Sequence, residues 1–387
     1  MRKRGSDKLK FSFIQLTFWC SWCAFTSFAA LYLKNQGLSD AQIGLALSVS
    51  TLGGILGQFV WGYLCDKFRS IKKNFLAANL VIWGAVLSFL FLKNSLWIYL
   101  MMFLLGFAQI PQPSILDTWI LKKLPGREAE YGHIRLWASV GFAVFALGFG
   151  WAIKLWGYGV MFLTASFFIL ATLLVSLQIS DADEKETTHE SLKKSFKTLL
   201  KNRRYLFFML VCFIIGLAYR TVHLLLPLII SHVHGSSAEL GLAYFFGVAT
   251  EIPMLLASKR LSQRFQSNTL IFFSTLLYMA QLVILLLATS PLLVMVAMAA
   301  QGLAFGNYLP SLRLFVYENA PENLRTSAQT LADAVLSSLT AVIGSAAGGV
   351  IIESYGVKTV LIIGLGLLAT ASLILLGDLI KRKLKKP

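Results

Sequence analysis

The chain has 387 residues, of which 57% are hydrophobic and only 14% charged, and its formal net charge is +17. Water-soluble domains carry about a quarter charged residues, so a soluble globular domain is excluded. The basic excess sits in short loops beside apolar stretches, where membrane orientation and anionic headgroups explain it better than nucleic acid does.

Apolar stretches long enough to cross ~30 Å of hydrocarbon, about 20 residues each, fall at 11–33, 43–64, 74–92, 96–121, 136–157, 159–179, 205–230, 238–258, 269–288, 291–317, 326–352 and 359–380. They are too long for barrel strands, which need only ~10 alternating residues. They predict an all-α membrane protein with twelve transmembrane helices. Met1-Arg2-Lys3-Arg4 before an apolar run imitates a secretory signal, but no small-residue cleavage site follows and further spans do. Lysines and arginines cluster in 1–10, 67–73, 122–135, 185–204, 259–264 and 381–386, while the alternate loops hold Lys34, Lys93, Lys154 and Lys358. The positive-inside rule then predicts a multi-pass plasma-membrane protein with both termini cytoplasmic.

The first span places Phe18, Trp22, Phe25 and Tyr32 on one stripe. Such a face can stack a sugar ring or an aryl group, although packing against neighbouring helices is its commoner use. Cys20 and Cys23 lie in the same span, away from aqueous thiols, and read as packing residues. His232 and His234 supply two ligands and no third, so neither metal nor cofactor is expected. Gly53, Gly54 and Gly57 in the second span permit close helix approach.

The longest hydrophilic stretch begins acidic, with Asp181, Asp183, Glu184, Glu186 and Glu190. It then sets Leu192, Phe196, Leu199 and Leu200 opposite Lys193, Lys194, Lys197 and Lys201, as in a helix lying on the inner membrane surface. The predicted organisation is a six-helix bundle at 1–180, a cytoplasmic central loop with an amphipathic segment at 181–204, and a second six-helix bundle at 205–387. At a constant offset of 197 residues, Gly44-Leu45-Ala46 returns as Gly241-Leu242-Ala243, Pro113-Ser114 as Pro310-Ser311 and Tyr158-Gly159 as Tyr355-Gly356.

An ionisable side chain at mid-span costs roughly 2.5–3.5 kcal/mol on insertion scales, so each one needs a reason. The spans or their ends contain Asp117, Arg135, Arg220, His223, Glu251, Arg313 and Asp333. At nearly the repeat offset, Asp117 and Arg135 answer to Arg313 and Asp333 with the signs reversed, which predicts one acid–base pair in each half. A gate and a structural brace both fit that pattern. Glu251 lies near the middle of the eighth span, where a carboxylate that exchanges a proton is what a coupled carrier needs. Arg220 and His223, at i and i+3, share a helix face.

Two parallel six-helix halves resemble major facilitator transporters, with a pseudo-two-fold axis along the membrane normal. Gly62-Tyr63-Leu64-Cys65-Asp66-Lys67-Phe68-Arg69 resembles that superfamily's signature between the second and third helices. The resemblance implies a conformational latch built on Gly62, Asp66, Lys67 and Arg69, and the second half has only Gln263-Arg264-Phe265 there. A narrower resemblance rests on Tyr32-Leu33, Gly37-Leu38-Ser39, Gln42-Ile43-Gly44 and the run from Tyr131-Gly132-His133-Ile134-Arg135-Leu136-Trp137 to Phe142. These are similar to the phenylpropionate-transporter-like branch, related to lactose permease and the oligosaccharide:proton symporters. The resemblance implies substrate contacts at Asp117, Arg135 and Glu251, with Glu251 also coupling protons. Trp22, Phe142, Arg220, Tyr308 and Arg313 are added as candidate substrate residues, and Asp333 and His223 as further proton-coupling candidates. Phe305 and Tyr308 replace the histidine and glutamate of lactose permease's tenth helix, so its proton route does not carry over.

The expected function is uptake of a small organic solute, a sugar or oligosaccharide, by proton symport and alternating access. Uptake of an aromatic carboxylic acid and proton-driven efflux are the alternatives. The expected partners are substrate, protons and bilayer around a monomer, without nucleic acid. Neither a nucleotide-binding glycine loop nor a Ser/His/Asp set supports an enzyme.

Overall fold

The computed structural model describes residues 2–91, 94–124, 128–182, 203–320 and 325–384. Among these residues every regular element is a helix. Hydrocarbon gives the backbone no water to bond to, and a helix satisfies its N–H and C=O groups internally. In chain order the helices are α1 (Arg2–Phe25), α2 (Ala29–Asn35), α3 (Asp40–Phe68), α4 (Ile71–Ser88), α5 (Ser95–Gln109), α6 (Gln112–Lys123), α7 (Glu128–Trp156) and α8 (Gly159–Leu177). After the central segment follow α9 (Arg203–Leu224), α10 (Leu226–His232), α11 (Ser237–Arg264), α12 (Ser267–Leu286), α13 (Pro291–Asn319), α14 (Arg325–Asp333), α15 (Thr340–Tyr355) and α16 (Val357–Leu384). A π-helical turn, Ala334–Leu339, joins α14 to α15. The amphipathic segment expected within 181–204 lies almost wholly outside the described residues.

Among the described residues eleven helical stretches are long and apolar enough to cross a membrane, against the twelve expected. The exception is the stretch predicted at 74–92. It forms α4, 18 residues long, and its first turns hold Lys72, Lys73 and Asn74. Lys72 Nζ donates to the Leu177 carbonyl at 2.8 Å, Asn74 Nδ2 to the Ser70 carbonyl at 2.6 Å and, further along, Asn79 Nδ2 to the Phe75 carbonyl at 2.8 Å. Three other stretches are interrupted where proline or a break removes a backbone bond. Pro111 separates α5 from α6, the turn before Pro227 separates α9 from α10, and residues 26–28 separate α1 from α2.

The chain divides into two compact units, Met1–Glu186 with Ser236–Gly241, and Thr187–Gly235 with Leu242–Pro387. In the first unit α1 packs on α7 and α8, and α3 on α5. The α3–α5 seam is closed by glycine: a Cβ at Gly57 would strike the Phe107 carbonyl, and one at Gly106 the Ser50 carbonyl. In the second unit α12 packs on α13 and α16, and α9 on α15 and α16. Its core is aromatic, with Phe208 and Phe315 stacked and Tyr219, Tyr278 and Tyr308 buried together.

The internal repeat extends to helix ends. In the first unit the Asp181 carboxylate caps α4, accepting from Ser70 Oγ, from the Ile71 N–H at 3.1 Å and from the Lys72 N–H at 3.0 Å. In the second unit the positions 197 residues on do related work. Asp378 accepts from Asn268 Nδ2 at 2.9 Å, and Ser267 Oγ donates to Glu318 at 2.9 Å. Asp181 thus serves as the anion at the N-terminus of α4, where backbone donors and the helix dipole favour it.

Candidate functional site

Each unit gathers polar and charged side chains within its spans. In the first, α1 places Gln15, Trp19 and Trp22 one and two turns apart on one face. The Trp19 and Trp22 rings stack at 5.4 Å with 27° between planes, and Phe142 of α7 meets Trp19 edge-on at 6.4 Å. The Arg135 guanidinium lies over Trp19, 5.1 Å from the ring centroid. Asp117 accepts from Gln15 Nε2 at 3.1 Å. The Tyr131 hydroxyl stands between Asp117 and Arg135 within hydrogen-bonding reach of both.

Four residues predicted from the sequence, Asp117, Arg135, Trp22 and Phe142, are therefore brought together. Phe18, Phe25 and Tyr32 of the predicted aromatic stripe pack into the core, the Tyr32 hydroxyl donating to the Phe89 carbonyl at 3.0 Å. Gln15, Trp19 and Tyr131 were missed. The i, i+4, i+7 spacing of 15, 19 and 22, and Tyr131 one turn before Arg135, were the available signals. Gln15 Oε1 and Trp19 Nε1 are buried with no hydrogen-bond partner among the described residues. The cluster presents a ring-stacking face, an unused acceptor, an unused donor, a cation and a carboxylate.

In the second unit α9 carries Tyr219, Arg220 and His223. Arg220 lies 5.8 Å from the Tyr219 ring, Tyr219 stacks on Tyr278 of α12 at 5.0 Å, and His223 meets Tyr244 of α11 at 6.2 Å. Arg220 and Glu251 both lie within electrostatic reach of the Tyr278 hydroxyl. Arg220 Nε, His223 Nδ1, the Tyr278 hydroxyl and Gln281 Oε1 are buried and have no hydrogen-bond partner among the described residues. Tyr308 is 2% exposed and bonds the Cys212 carbonyl at 3.4 Å, so it forms the wall behind Tyr219 and Tyr278.

Arg313 and Asp333 approach to 3.6 Å with side chains 54% and 49% exposed. In the first unit the corresponding charges, Asp117 and Arg135, lie within electrostatic reach of each other, with the Tyr131 hydroxyl also in reach of both. The signature loop is shorter than the sequence implied, because α3 runs to Phe68 and only Arg69 and Ser70 precede α4. Gly62, Asp66, Lys67 and Arg69 are all exposed; Arg69 takes a left-handed φ of 46° that closes α3. The four cysteines are free and buried, and no group of three or more His, Cys, Asp or Glu side chains suits a metal among the described residues.

Eleven candidate spans among the described residues, in two units and with charged side chains carried on them, describe a polytopic membrane protein. Residues 9–363 match the MFS_1 like family model, and the chain belongs to that family. It is 25% identical over 336 residues to the maltose permease of Geobacillus stearothermophilus, covering 86% of this chain and 84% of that protein. It is 24% identical over 272 residues to the probable 3-phenylpropionic acid transporter of Escherichia coli (strain K12), covering 67% and 69%. The fold is shared with the crystal structure of the nucleoside transporter NupG, at a TM-score of 0.83, 15% identity and coverage of 96% of this chain and 98% of that one.

Proposed function

We propose that this chain takes up a small organic solute, a sugar or oligosaccharide, by proton symport and alternating access. The carrying observation is the first unit's cluster. Stacked Trp19 and Trp22 offer the flat apolar face a pyranose presents to aromatics. Gln15, Asp117, Tyr131 and Arg135 beside them offer the charged and amide groups that bond hydroxyls strongly. The similarity to a protein named maltose permease supports this reading. Glu251 is the proton carrier, with Asp333 and His223 as the other titratable groups on the route. Asp66, with Gly62, Lys67 and Arg69, is the latch that opens and closes during the cycle. The chain works as a monomer in the plasma membrane with both termini cytoplasmic.

The test is uptake into proteoliposomes under an imposed pH gradient, preceded by a thermal-shift screen against sugars and aryl acids, since a bound ligand stabilises by mass action. Accumulation of a sugar on the alkaline side is the expected result. Extrusion, or accumulation that ignores the gradient, overturns the proposal.

A further inference from the structure

We propose that the exposed end of α11 binds an anionic phospholipid, with its phosphate held by Arg260 and Arg264 and an acyl chain lying along Leu256. The site does not depend on which solute the protein carries. Residues 256, 260 and 264 follow one another by four and so share one face of α11. A rise of 1.5 Å per residue sets Leu256 about 12 Å from Arg264 along the axis. Leu256 is 78% exposed, Arg260 and Arg264 are exposed beyond it, and Lys259 and Phe265 flank them, exposed as well. Along this face an apolar side chain gives way to guanidinium groups and an aromatic ring. A phospholipid presents its chain, interface and headgroup in the same order.

These cations have no anion of their own. Between Ile252 and Tyr317 the sequence holds neither aspartate nor glutamate. The side chains of Lys259, Arg260 and Arg264 make no hydrogen bond or ion pair among the described residues. Two carboxylates meet the start of α12, but Glu318 accepts from Ser267 Oγ and Asp378 from Asn268 Nδ2, each at 2.9 Å. The first unit differs at the equivalent end of α3. There, 197 residues earlier, Asp66 stands where α11 has Gln263. The Lys67 ammonium, the counterpart of Arg264, rests 5.8 Å from the Tyr63 ring and 5.7 Å from the Phe68 ring. Without that carboxylate the second unit carries three positive charges within residues 259–264, beside an exposed apolar face. A phosphodiester supplies the balancing charge, and guanidinium groups take phosphate oxygens through paired N–H bonds. The chain esterified to the same lipid covers Leu256.

The experiment places the photoreactive residue p-benzoylphenylalanine at position 256 of the full chain, reconstituted in bilayers of equal phosphatidylcholine and phosphatidylglycerol. After illumination, mass spectrometry reads which lipid has become attached. One basic residue near the surface favours an anionic lipid by about fivefold, so phosphatidylglycerol should be attached at least about fivefold more often than phosphatidylcholine. Arg260→Gln combined with Arg264→Gln should return the ratio to about one. Arg260→Lys combined with Arg264→Lys keeps the charge and should keep part of the enrichment. Neither arginine has a partner in the fold among the described residues, so the thermal midpoint of each variant should stay at that of the parent. A ratio near one with both arginines present, an enrichment that the glutamine pair leaves unchanged, or attachment of no lipid at all overturns the proposal.

Discussion

Asp181→Ala removes four interactions at once: the three at the start of α4, from the Ile71 and Lys72 N–H groups and from Ser70 Oγ, and the local one from the Ala182 N–H. A bond to a charged acceptor contributes about 1.5–3 kcal/mol and an N-terminal cap about 1 kcal/mol. The bonds share one carboxylate, which is only partly buried, so they do not add, and about 3 kcal/mol for the group is the expected loss. Ser70 Oγ still accepts from the Lys73 N–H at 3.1 Å, which keeps α4 from fraying fully. For a unit of this size the thermal midpoint should fall by about 6–12 °C. Asp181→Asn, which retains one acceptor, should fall by less than half as much. The assay is fluorescence-detected unfolding of the purified protein in one detergent. An Asp181→Ala midpoint within 1–2 °C of the parent would show that Ser70 alone caps α4 and that the carboxylate's bonds are worth nothing net.

Glu251→Gln should abolish gradient-driven accumulation while counterflow, which needs only alternating access, persists; undiminished uphill uptake would move the search to Asp333 or His223. Asp66→Asn should slow transport and leave substrate affinity within about threefold, because a latch biases states and touches no ligand; normal rates with lost binding would place it in the site. Arg313→Gln should lower stability by less than about 1 kcal/mol, as expected of a half-exposed pair. Asp117→Asn should abolish transport, and exchanging Asp117 with Arg135 should recover part of what either single change loses in a denaturation series. No recovery would mean that Tyr131 does not couple the two.

The spans and their charges were legible in the sequence because hydrocarbon imposes one demand on every crossing segment, about 20 residues of apolar helix. For the same reason Asp117, Arg135, Arg220 and Glu251 stood out: an ionisable group in such a segment is expensive anywhere along it. The 18-residue α4 escaped that logic, since Lys72, Asn74 and Asn79 have partners inside the bundle and its apolar run is short. Which face of a span turns inward was not legible. A helix apolar all round has no moment to orient it, so the sequence reading followed the stripe through Phe18 and Trp22 and missed Gln15 and Trp19. Nor could local sequence reveal that Asp181 caps a helix 110 residues earlier, or that Tyr219, Tyr278 and Tyr308 from three helices form one wall. Membrane crossing is decided residue by residue against a uniform solvent, whereas a site depends on which side chains close packing brings to the same few ångströms, and only the tertiary structure sets that.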